Sequence, residues 1–446
     1  MKINDNSVIR PIHYLGSKLR MLEAIKSSID FVDKTNGTIC DLFSGSGVVS
    51  KYMVQYRDVI SVDIQHYSSV LCEASVKKIS ETINIDETIN AIKNSVISKQ
   101  LIDNYSSLLD YERNSINKAQ NDELDSLYEI IENGSLYIYI NESPKNISRK
   151  LSCCLEACIL NLQKNKMITS PDTMIIRYYG GLYFSYKQAM ELDTIASYAF
   201  SKTGLLRTKI IAALLSTASE IVNTVGKQFA QPLKVRDSNG AWKKTLKKKI
   251  LQDRSLNTYN IFREWLSYYL SIGTLNHNLI SLCMDYREAL RLIHNKKVKV
   301  VYADPPYTRY HYSRYYHVLE TICKRDNPAV TTTFPNGQGG ISRAIYREGR
   351  HQSPFCIKNQ AAEAFENLFN GIYELNVPLV LSYSPYETSK ASTPRLQKID
   401  QIVDMAYKYY NHVFVQSPGE FTHSKLNSVE KNFDANHNAE LLIVCY

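Results

Sequence analysis

The chain has 446 residues, of which 44% are hydrophobic, enough for two or more domains with true cores and inconsistent with a disordered or fibrous polypeptide. Its formal charge of +9 suits a polyanionic partner, and no apolar run approaches the roughly 18 residues that a membrane span needs. The opening Met1-Lys2-Ile3-Asn4-Asp5-Asn6 lacks the apolar core of a signal peptide, so the expected location is the cytoplasm.

The nine cysteines include no Cys-x-x-Cys pair, which predicts neither a disulfide framework nor a zinc site. Cys153, Cys154 and Cys158 sit in a helical pattern and read as small hydrophobes. No metal is expected.

The first signal along the chain is Ile12–Leu22, in which Tyr14, Gly16 and Lys18 form a turn that opens an amphipathic helix to about Ile29. A lysine at a helix start suits a carboxylate ligand. Residues 38–50 then read as a short strand, a turn bearing Gly45 and Gly47, and a helix, with Asp41 and Phe43 at the same strand end. A second strand, 59–63, ends in Asp63, 22 residues after Asp41. An acid at about that spacing past a glycine turn grips ribose hydroxyls, which marks a nucleoside-binding half-sheet. Ile64 follows on the same loop.

From about 75 to 133 the pattern is helical and polar, and further helices are predicted over 150–165, 186–203 and 205–225. Arg177–Ser185 is an aromatic, turn-rich corner between them. Residues 234–254 then carry eight Lys or Arg against two acids, a net +6 that reads equally as a solvated face or as phosphate contacts through Lys243, Lys244, Lys247 and Lys248.

Strand patterning returns at 282–285, where Asp285 and Tyr286 end a strand and open a helix. Asp285 reads either as a contact to an adenine amino group or as a helix N-cap. The β-branched run 298–302 then stops at Asp304-Pro305-Pro306-Tyr307. Two consecutive prolines remove two backbone donors, so the ladder cannot continue and the chain leaves the sheet at a carboxyl strand end. An acceptor-only carboxylate, carbonyls freed from sheet pairing and one aromatic ring suit a planar, amino-bearing base. The alternative for the tetrapeptide alone is a plain Pro-Pro turn with a solvated acid.

Residues 308–325 are aromatic and basic, then helical, and include Arg309, Tyr310 and Arg314. A loop from about 326 to 355 follows, with Arg343, Arg347 and Arg350 offered as nucleic-acid contacts that order on binding. A buried strand over 378–384, a helix at about 395–410 and strands at 412–416 and 440–445 complete the pattern.

Together these segments resemble the adenine-specific DNA methyltransferases that use S-adenosylmethionine. Residues 13–22 resemble that family's N-terminal cofactor motif, Asp41–Gly47 its Phe-x-Gly-x-Gly motif, Asp63 its ribose acid and Asp304–Tyr307 its catalytic tetrapeptide. The implied fold is α/β, a Rossmann-like methyltransferase sheet with a largely helical inserted domain. The catalytic part is expected over 1–75 and 275–446, with target recognition over 76–274. The resemblance implies S-adenosylmethionine as cofactor, double-stranded DNA as substrate and a flipped-out adenine as acceptor, either with a separately encoded cognate restriction endonuclease as partner or in a phage or orphan epigenetic context. Asp304, Pro305, Pro306 and Tyr307 take the catalytic roles, and Tyr307 is expected to stack on the base. Cytosine N4 or RNA adenine methylation, and a catalytically silent DNA-binding relative, remain as alternatives from the residues alone.

Overall fold

The computed structural model describes residues 9–142, 146–294, 296–309, 311–333, 339–384, 396–417 and 440–446. Among these, nine strands run in chain order: β1 (Thr38–Asp41), β2 (Val59–Asp63), β3 (Leu279–Cys283), β4 (Val298–Ala303), β5 (Thr332–Thr333), β6 (Gly340–Ile341), β7 (Leu379–Tyr383), β8 (Val413–Gln416) and β9 (Leu441–Cys445). The chain divides into two compact units. One comprises 1–78, 271–314 and 351–446; the other comprises 79–270 and 315–350.

The first unit is built on one seven-stranded sheet in the order β3-β2-β1-β4-β7-β9-β8. The first five are parallel to one another, and β9 runs antiparallel to both β7 and β8. Alternate residues of β4 feed opposite cores: Val301 and Ala303 pack with the helices Tyr286–Ile293, Ala361–Tyr373 and Ile399–Ala406. Val300 and Tyr302 pack with Leu22–Val32 and Val48–Met53. This two-faced burial explains why the parallel strands read as continuous apolar runs.

Two boundaries differ from expectation. β3 ends at Cys283, two residues before Asp285, because the Asp285 carboxylate accepts the Arg287 N–H and caps the next helix. Lys18 lies in a 3-10 turn, Lys18–Arg20, and the α-helix begins only at Leu22.

The second unit is helical, with Val96–Gln120, Arg149–Lys164, Tyr186–Phe200 and Gly204–Ile221 as its longer members. Capping matches the sequence: Ser95, Ser148 and Ser185 each accept a first-turn N–H, and Ser185 forms a full capping box with Gln188. Residues 315–350, expected with the catalytic segments, group with this unit instead and carry the β5–β6 hairpin. No helix among the described residues is long and apolar enough to cross a membrane.

Candidate active site

Parallel strands deliver their last residues to one edge of the sheet, and in the first unit that edge collects the polar side chains. A cleft of about 860 Å³, counting its open mouth, is lined there by Tyr14, Phe43, Asp63, Ile64, Asp285, Tyr286, Asp304, Pro305 and Pro306, all singled out from the sequence. Tyr67, Met284, Tyr312 and His351 also line it. None of these four carries a local signal, because each becomes relevant only through the fold.

The glycine turn supports the cleft. Gly45 and Gly47 hold φ of +54° and +75°, where glycine is favoured. A Cβ on Gly45 would stand 2.6 Å from the Tyr14 hydroxyl, and one on Gly47 would stand 3.0 Å from the Cys72 Cα. At Gly16 the positive φ of +73° is the constraint, since a Cβ there would make only an ordinary contact with the Tyr312 hydroxyl, at 3.4 Å.

The acids differ in environment. Asp63 accepts N–H bonds from Gly45 at 2.9 Å and Gln65 at 2.8 Å. Asp41 is 1% exposed; Ser50 donates to its Oδ2 at 2.5 Å, and Oδ1 is buried without a hydrogen-bond partner. Burial pushes its carboxyl up to about 7, against the Ser50 hydrogen bond. Burial also raises Asp285, but its side-chain and backbone bonds from Arg287 prevail and hold it below the ordinary value.

Asp304 sits immediately beyond β4. Lys18 Nζ is 2.9 Å from its Oδ2, while Oδ1 has no hydrogen-bond partner among the described residues and the side chain is 20% exposed in the cleft. Burial lifts its carboxyl to about 7; Lys18 opposes that shift and Glu440 adds to it. Burial likewise works against the Lys18 ammonium, yet Asp304 and Glu440 outweigh it and keep the amine well above its ordinary value. Lys18, expected to meet a cofactor carboxylate, is therefore committed to two carboxylates of its own chain.

Glu440 escaped the sequence reading of the site, although it heads the predicted last strand. It is 2% exposed, bonds Lys18 at 2.8 Å, and accepts hydrogen bonds from Tyr307 Oη at 3.2 Å and Ser382 Oγ at 3.3 Å. Tyr307 is 6% exposed and its ring packs on Tyr383 at 4.9 Å between centroids. The rings lining the cleft are instead Tyr14, Phe43, Tyr67, Tyr286 and Tyr312.

The expected nucleic-acid residues separate into two groups. Arg343 donates to the Ile131 and Leu233 carbonyls at 2.8 and 3.0 Å, and Arg347, 7% exposed, pairs with Asp326 at 2.6 Å, so both guanidiniums serve the interior of the second unit. Lys247 pairs with Asp122 at 2.6 Å. Lys244, Lys248 and Arg309 are exposed, Lys243 and Arg314 are half-buried, and Tyr310 lies outside the described residues.

Modification methylase LlaI of Lactococcus lactis subsp. lactis is 23% identical over 398 residues, covering 89% of this chain and 49% of that protein. Modification methylase StsI of Streptococcus sanguinis is 24% identical over 84% of this chain and 44% of its own length. The chain thus spans about half the length of these two relatives. Type II methyltransferase M.NlaIII of Neisseria lactamica is 22% identical over 97% of this chain and 98% of its own. No solved structure matches the chain significantly. The family sequence pattern matches over residues 14–149 and 243–377, more than half of the chain and both flanks of the cleft, and the protein belongs to the D12 class N6 adenine-specific DNA methyltransferase family.

Proposed function

We propose that the protein transfers a methyl group from S-adenosylmethionine to N6 of an adenine flipped out of duplex DNA, as the modification component of a restriction-modification system. The observation that carries this reading is Asp304, held by Lys18 through one carboxylate oxygen and offering the other to the cleft that Asp63 and Asp285 also line.

The cleft's chemistry fits the cofactor. Asp63 accepts backbone N–H bonds from Gly45 and Gln65 in the lining of the cleft, and its carboxylate is the acceptor type that ribose hydroxyls need. Phe43, Ile64, Met284 and Tyr286 supply apolar contact for an adenine ring, with Asp285 at its edge. Gly45 packs directly against the Tyr14 hydroxyl, so a side chain there would displace a ring that lines the cleft. S-adenosylmethionine supplies an electrophilic sulfonium methyl group when bound.

The chain's own contribution is to make an exocyclic amine nucleophilic. That lone pair is delocalised into the base, and hydrogen bonds from its protons to Asp304 and the Pro305 carbonyl return electron density to nitrogen. The Asp304 carboxylate would stabilise the positive charge that the nitrogen gains with the methyl group, and the nitrogen would then lose one proton to water. Orientation of the two reactants contributes about 7–11 kcal/mol in favourable systems. Unstacking the base costs a few kcal/mol, offset by the rings of the cleft.

The second unit is assigned to DNA, with Lys243, Lys244 and Lys248 as phosphate contacts. The names of the relatives, modification methylases and type II methyltransferases, support a separately encoded endonuclease as partner. The test is expression in cells devoid of adenine methylation, followed by long-read mapping of modified bases. N6-methyladenine in one recurrent motif is expected. N4-methylcytosine would overturn the base assignment, and unmodified DNA with modified RNA would overturn the substrate.

A further inference from the structure

Lys18, Asp304 and Glu440 form one buried cluster, and only Asp304 lines the cleft. We propose that Glu440 is a positioning residue for methyl transfer, anchoring the Lys18 ammonium so that it occupies Asp304 Oδ2 and leaves Oδ1 to the target amino group. The inference rests on the methyltransferase reading above.

The geometry follows from the sheet. β9 is antiparallel to β7, with Ser382 opposite Leu442 and Tyr383 opposite Leu441, so the residue preceding β9 arrives at the edge where the parallel strands end. Side chains alternate along a strand, and Glu440 falls on the face of Leu442 and Val444. Asp304 continues the alternation of Val300 and Tyr302, whose side chains belong to that same core. Lys18 enters just before the helix Leu22–Val32 that covers this face.

An ammonium has three donors. Glu440 draws Lys18 through both oxygens, at 2.9 Å to Oε1 and 2.8 Å to Oε2, and Asp304 receives the remaining contact at 2.9 Å. Without Glu440 the freed donors become available to the second oxygen of the same Asp304 carboxylate, where they compete with the base. Glu440 is itself held by Tyr307 Oη and Ser382 Oγ, so its position does not depend on Lys18 alone. The tetrapeptide tyrosine thus supports the anchor.

The charges point the same way. Two carboxylates around one ammonium leave the cluster at −1, which favours a reaction whose positive charge moves from sulfur to nitrogen. With Glu440 neutral the cluster carries no net charge, and Asp304 becomes a weaker acceptor. The groups acting on Asp304 are Lys18, which lowers its carboxyl, and Glu440, which raises it. Asp41, Tyr302 and Tyr312 also feel its charge, and Tyr307 acts on Lys18.

The experiment compares the wild-type chain with Glu440→Gln, Glu440→Asp and Lys18→Gln, using labelled S-adenosylmethionine and DNA from cells lacking adenine methylation. Glu440→Gln is expected to lower kcat about 10- to 100-fold, the scale of one hydrogen bond to a charged group, with calorimetric affinity for S-adenosylmethionine unchanged. The acid limb of its pH–rate profile moves to lower pH, the limb of Lys18→Gln moves to higher pH, and Glu440→Asp recovers much of the rate. Wild-type kcat in Glu440→Gln, or loss of rate with an unmoved limb, overturns the proposal. If the wild-type chain transfers no methyl group to DNA, the function fails separately. The inference is then read from the Asp304 carboxyl infrared band, identified by its loss in Asp304→Asn, whose midpoint must fall in Glu440→Gln; an unmoved midpoint overturns it.

Discussion

The backbone N–H of Gly45 donates to Asp63 Oδ2 at 2.9 Å, joining the glycine turn after β1 to the acid that ends β2. The two cofactor signals of the sequence are thus one element. Asp63→Ala removes the brace of the turn together with the proposed ribose acceptor, and is expected to weaken S-adenosylmethionine binding about 10- to 100-fold. Calorimetric titration of the cofactor checks this, and an unchanged affinity would remove Asp63 from the site.

Asp304 must be ionised to accept from an amino group, and burial raises its carboxyl to about 7. Activity is therefore expected to fall as pH drops through about 7, well above the ordinary aspartate range. Asp304→Asn keeps the side chain's size but loses methyl transfer while retaining cofactor and DNA binding. A kcat profile flat down to pH 5 would contradict this account, as would residual turnover near wild type in the variant.

In the second unit, Arg254 donates to Glu112 at 2.7 Å and to the Gly181 carbonyl at 2.6 Å, and both charged side chains are buried. Removing one partner leaves an uncompensated buried charge, at a cost of about 3–5 kcal/mol. Arg254→Leu is expected to destabilise the protein by that amount, whereas Glu112→Leu combined with Arg254→Leu regains most of it. Denaturant unfolding of the two variants measures the difference.

The basic residues separate by what their charges already meet. Lys244→Ala with Lys248→Ala is expected to leave stability unchanged and to reduce the slope of log affinity against log salt by roughly 2, near 0.9 for each phosphate that is no longer neutralised. Arg347→Ala removes a buried guanidinium that pairs with the more exposed Asp326, so its effect falls on the melting temperature. A smaller salt slope for Arg347→Ala, with stability intact, would reverse these assignments.

Much of the cleft edge was legible because it is encoded locally. The glycine turn, the acid 22 residues beyond Asp41 and the strand stopped by two prolines each depend on a few adjacent residues, and the structure brings them to one cleft. Helix capping in the second unit is local in the same sense. The long-range uses of charge were not legible. Arg343 and Arg347 have the composition of phosphate contacts, and only their packing shows that carbonyls and Asp326 already hold them.

The sequence by itself determined the α/β class, the strands that end in Asp41 and Asp63, the strand that stops just before Asp304, and the helical character of the insert, because backbone propensity and side-chain alternation act over short distances. The tertiary structure alone decided that 315–350 join the helical unit and that Lys18 meets Asp304 and Glu440. Glu440 lies 422 residues from Lys18, and only the reversal of β9 against β7 carries it to the carboxyl edge. Strand direction depends on which neighbour a strand pairs with, and no local pattern encodes that choice.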